Sequence, residues 1–168
     1  MQIIAETGWP VVLFCLTAVT TGAALQRIAG QGFGLVSTPL IALVQPEMLP
    51  SAVLLLGFVS GLGSAALDLS HVNRRELPWG FAGRALGAIV AAQLAALLPS
   101  FEALAVIIAV TVLLAVGASL SGVTFVITRA NLVMAGIVAG LMGTLTAIGA
   151  PPMAMLYQTQ PPARSRAM

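Results

Sequence analysis

Residues 30–39 read Gly30-Gln31-Gly32-Phe33-Gly34-Leu35-Val36-Ser37-Thr38-Pro39 and interrupt an otherwise apolar helical pattern. A second interruption of the same kind, Ala147-Ile148-Gly149-Ala150-Pro151-Pro152, falls near the other end of the chain. Glycine and proline inside apolar segments leave backbone N–H and C=O groups unpaired, and lipid cannot satisfy them. Such breaks persist only where protein or a watery cavity encloses them. Two corresponding breaks point to an internally duplicated membrane transporter whose substrate site lies where the breaks meet.

The composition agrees. The 168 residues are 59% hydrophobic and 7% charged, with a mean hydropathy of +1.04, which is more apolar surface than a soluble domain of this length buries. The expected class is an all-α polytopic integral membrane protein. A pI near 9.5 does not imply a nucleic-acid partner. The basic residues are all arginine, and they form no clustered face interleaved with exposed aromatics. Cys15 is the sole cysteine and lies in an apolar run, which excludes a disulfide framework and reads as packing. His71 stands alone in a polar loop beside Asn73, Arg74 and Arg75, so no metal site is expected. No cofactor is implied, and nothing pairs two carboxylates or a nucleophile with a base, so an enzyme is not expected. Residues 1–8 carry Glu6 and no basic residue, unlike a cleavable signal peptide, so the first apolar segment is expected to stay in the mature protein.

Working outward from the first break, residues 10–29 are long enough to cross a 30 Å hydrocarbon core, which takes about 20 helical residues. Residues 35–44 are too short to do so before Gln45, Pro46 and Glu47. Residues 10–44 therefore read as a helical hairpin that turns at the glycines and returns to its own side. Three near-spanning segments follow, at 51–67, 80–98 and 102–120, and with the hairpin they make a first repeat over residues 1–120. After a loop at 121–130, residues 131–157 repeat the long arm, break and short arm and begin a second repeat. Residues 158–168 lack an apolar pattern and are expected to be a disordered tail.

Three crossings between the hairpins make the second enter from the opposite face, an inverted repeat. The arginines support that layout. Segments 69–79, 121–130 and 158–168 fall on one side and hold Arg74, Arg75, Arg129, Arg164 and Arg166, whereas 1–9, 45–50 and 99–101 hold none. Lys and Arg enrich cytoplasmic loops, so the expected location is the inner membrane with the N-terminus outside and the C-terminus cytoplasmic. Trp9 and Trp79 fall at the interfaces. Asp68 and Arg84 are placed near cytoplasmic ends, where they can reach water or each other, and Arg84 can snorkel. The spacings Gly57/Gly61, Gly83/Gly87 and Gly136/Gly140 read as helix contacts.

The run from Gly30 to Leu40, the small-residue helix from Ser51, the Arg74, Arg75, Trp79 loop and the stretch Gly149-Ala150-Pro151-Pro152-Met153-Ala154-Met155-Leu156-Tyr157 together resemble the sulfite exporter TauE/SafE family of membrane permeases. That resemblance implies transport of a small organosulfur or sulfur-oxyanion species. It also implies two complete halves, and hence about three further helices after Arg166. The competing reading is a truncated or split-gene membrane subunit without independent transport.

The site expected from the residues combines main chain and side chains. The free N–H groups and positive dipole end at a short arm's start favour an anion. Gly30, Gly32, Gly34 and Gly149 admit close approach to the main chain, and Pro151 suits a first helical turn. Gln31, Ser37, Thr38, Thr144 and Thr146 are candidate donors, although each hydroxyl has the alternative of bonding back to its own helix. Arg27, one turn before the break, is the candidate cation. Expected partners are the lipid bilayer, the anion, a coupling ion (H+ or Na+), and a second copy or a separate second half.

Overall fold

A computed structural model describes residues 8–29, 32–49, 51–67, 70, 73–96, 101–122 and 125–160. Among these there are seven α-helices and no strand: α1 (Trp9–Ala29), α2 (Phe33–Val44), α3 (Ser51–Leu67), α4 (Leu77–Ala95), α5 (Phe101–Leu120), α6 (Arg129–Thr146) and α7 (Pro151–Tyr157), with a 3-10 turn at Pro46–Met48. The fold class is the all-α one expected of a membrane protein. By length and apolarity α1 and α6 can each cross a membrane, whereas α2 and α3 are apolar but shorter. Leucines, valines and phenylalanines on α1, α3, α4 and α5 point outward, among them Leu13, Phe58, Phe81 and Leu113. That surface suits lipid and not water.

Both helical breaks are present. The first ends α1 at Ala29 and restarts the chain at Phe33, with Gly32 at φ 141, a backbone conformation that favours glycine. The arms then run antiparallel, since Ser37 Oγ donates to the Ala18 carbonyl at 3.2 Å while Gly32 packs on Leu25. The second break follows Thr146, where Ala147 adopts a left-handed conformation (φ 58) and its N–H closes the helix by donating to the Gly143 carbonyl at 2.8 Å. Pro151 and Pro152 then start α7, where a missing N–H costs nothing. α7 runs back along α6: Gly149 lies against Ala139 and Gly143, and Leu156 and Tyr157 pack on Leu132. Tyr157 Oη donates to Glu76 Oε2 at 2.7 Å, tying the end of α7 to the start of α4.

Among the described residues the most extensive helix pairing joins α4 to α6. A methyl group added at Gly83 would overlap the Val133 carbonyl, and one at Gly87 the Ile137 carbonyl. Added at Gly136 it would stand 2.6 Å from the Gly80 carbonyl oxygen, and at Gly140 it would overlap that of Arg84. Equal steps in the same order mean the two helices run parallel and interlock backbone to backbone. Arg129 lies over the Trp79 ring at 5.4 Å and fastens the two helices at their first turns.

Helix starts differ slightly from the sequence expectation. α4 begins at Leu77 and not at 80 because Pro78 is tolerated in a first turn. α6 begins at Arg129 and not at 131, with the Thr128 hydroxyl accepting from the Asn131 N–H at 3.1 Å. Residues 158–160 form a turn. Residues 161–168, the rest of the expected tail, lie outside the described residues, as do Asp68 and His71.

Candidate functional site at the meeting of the two breaks

The start of α2 touches the second break. A methyl group at Gly34 would overlap the Ala147 carbonyl and stand 3.2 Å from the Ile148 Cα. Phe33, Ile41, Val53 and Ile148 form one buried cluster, so side chains seal one flank of this junction. The space that Gly34 leaves is thus filled by the other break and not left for a ligand. Gly149 is likewise packed on protein, with a methyl there reaching 2.6 Å from the Ala139 carbonyl oxygen.

The candidate hydroxyls divide. Ser37 is fully buried and spends its donor on Ala18 across the hairpin. Thr146, also fully buried, donates to the Met142 carbonyl at 2.7 Å and accepts from the Ile148 N–H at 3.2 Å, which shapes the break itself. Thr38 is fully buried and its Oγ1 has no hydrogen-bond partner among the described residues. A buried hydroxyl without a partner costs about 1–3 kcal/mol, so its retention calls for an explanation. One residue further, Pro39 interrupts the N–H ladder of α2 and leaves the Leu35 carbonyl without its usual helical donor. A hydroxyl without a partner and a carbonyl that lacks its usual i+4 N–H donor therefore lie within one turn, just past the junction. Thr144 is half-buried in the last turn of α6, and Pro151 is buried at the start of α7. Arg27 occupies the last turn of α1, half-buried, where a cation meets the negative end of the helix dipole. Gly30 and Gln31 lie outside the described residues.

Arg84 departs from its expected place. A side chain on a helix leans toward the N-terminus, which here would carry the guanidinium to the near end of α4. Instead, a terminal nitrogen lies 3.5 Å from a methyl position on Gly143 and 3.3 Å from one on Gly149. Because α4 and α6 are in parallel register, with Arg84 level with Gly140, the charge reaches onward to the second break. Sequence reasoning missed this, because the direction depends on which helix lies alongside.

A separate cavity of about 440 Å³, lined by Glu76, Ile127, Leu156 and Gln160 among others, opens at the end of the molecule where α4 and α6 begin. It contains none of the expected site residues. Its carboxylate is already engaged by Tyr157 and by the Asn73 amide at 2.7 Å.

Two broken helical hairpins joined tip to tip, in a chain this apolar, define the architecture of a membrane transporter. The family model described as Sulfite exporter TauE/SafE matches residues 14–168, and the chain belongs to that family of membrane transport permeases. No curated protein and no solved structure matches the chain.

Proposed function

We propose that the chain is part or all of an inner-membrane permease that moves a small anion of the sulfite or organosulfonate kind by alternating access. The observation that carries this reading is the contact of the two breaks at Gly34 and Ala147, each at the tip of a hairpin. A junction made of irregular backbone from two hairpins is where polar main chain can face a substrate inside a membrane.

In this reading the hairpins are re-entrant, enter from opposite faces and start two inverted repeats, with the N-terminus outside and the C-terminus cytoplasmic. The first-turn N–H groups of the twelve-residue α2 and the positive end of its dipole attract the anion. Gly30, Gln31 and Gly32 shape the approach, Thr38 and Thr144 supply hydroxyl donors, and Arg27 adds positive charge from the end of α1. Ser37, Thr146, Gly34, Gly149 and Pro151 set the geometry of the junction. The Leu35 carbonyl freed by Pro39 suits a coupling cation, H+ as a hydronium or Na+. Rocking one hairpin against the other at their shared tip would open the junction to each side in turn.

The test is flux of sulfite and of a simple sulfonate into liposomes carrying the protein. Saturable flux above that of empty liposomes is expected, with its rate lowered by Thr38→Val. Wild-type flux equal to that of empty liposomes contradicts the proposal.

A further inference from the structure

We propose that Arg84 is an anion-binding cation of this transporter, gripping one oxygen-rich face of the substrate beside the second break; the inference rests on the transport reading above. Four observations converge on it. Its backbone is fixed, because Gly136 and Gly140 bracket it: added methyl groups there would stand 3.0 Å from the Arg84 N and overlap the Arg84 carbonyl. The side chain turns away from the nearer end of its helix and places its guanidinium beside Gly143 and Gly149. Those two positions have no side chains, so the planar guanidinium can lie against the main chain there. Finally, no ion pair or hydrogen bond joins Arg84 to another described residue, and Glu76, the carboxylate nearest to it in sequence, is committed to Tyr157 and Asn73. A cation in an apolar helix with no counter-charge among the described residues is costly unless hydrated or met by an anion.

The ligand class follows from the group. A guanidinium presents paired N–H donors that match two oxygens of one oxyanion, which an ammonium cannot do. Sulfite, a sulfonate and a phosphate headgroup share that chemistry. The guanidinium's reach away from the near end of α4 favours a free oxyanion over a headgroup.

The test uses the whole chain in phosphatidylcholine nanodiscs, with the thermal midpoint followed as sulfite is added. Wild type is expected to show a saturable rise. Arg84→Lys should need about tenfold more sulfite, the ratio that the loss of one charged hydrogen bond implies. Arg84→Gln should show no rise, while its midpoint without sulfite stays at or above the wild-type value because no ion pair or hydrogen bond to a described residue is lost. If Arg84→Gln responds as wild type does, or wild type does not respond, the assignment is overturned. A response to phosphatidylglycerol and not to sulfite, lost in Arg84→Gln, would give the cation to a lipid headgroup and also overturn it. An Arg84-dependent rise without liposome flux would instead sustain the binding site and sink the transport reading.

Discussion

Thr38 and Ser37 are neighbours, both fully buried, yet they carry different chemistry. Ser37 is spent on the Ala18 carbonyl, so Ser37→Ala should lower the thermal midpoint by the loss of about 1 kcal/mol and leave the KM for sulfite flux unchanged. Thr38 has no partner among the described residues, so Thr38→Val, at equal volume, should raise or preserve the midpoint while reducing flux about tenfold. Flux unaltered by Thr38→Val would remove the hydroxyl from the site. The sequence marked both residues as candidates because a hydroxyl at this depth must bond either a helix carbonyl or something else. Which of the two holds is decided by the facing arm, and residue type does not reveal it.

The breaks were legible at the scale of elements, because glycine and proline act through the backbone and need no knowledge of neighbours. Gly32 takes a positive φ, and Pro151 begins a helix, for reasons local to each. Partner choice was not legible. Three pairs share the same four-residue glycine spacing, but Gly57 and Gly61 meet the Phe33 ring and the Gln26 side chain, whereas Gly83/Gly87 and Gly136/Gly140 lie in the backbone-to-backbone interlock of α4 with α6. Spacing fixes a face of a helix and leaves its occupant open. The consequence is measurable. Gly87→Ala should destabilise the protein by about 1–3 kcal/mol through overpacking against the Ile137 carbonyl. Gly63→Ala, with nothing within 4 Å of the added methyl, should be neutral or gain up to about 1 kcal/mol from helix propensity. Thermal unfolding of the two variants in detergent checks the contrast, and equal midpoints would contradict the interlock.

At the scale of the whole molecule, the parallel register of α4 and α6 turns local features into a site. It aims Arg84 at the second break, and the hairpin that ends in that break meets the first at Gly34. Neither juxtaposition can be read from one segment, which is why Arg84 was placed at a helix end by sequence and is found beside Gly149 in the fold. The central claim is that the two breaks touch. It is tested most directly in a Cys15→Ala background by Phe33→Cys with Ile148→Cys, two positions of one buried cluster, treated in membranes with a short bifunctional thiol reagent. The account predicts an intramolecular cross-link that forms with both cysteines and with neither alone. Failure to cross-link, with both thiols shown reactive after denaturation, would contradict it.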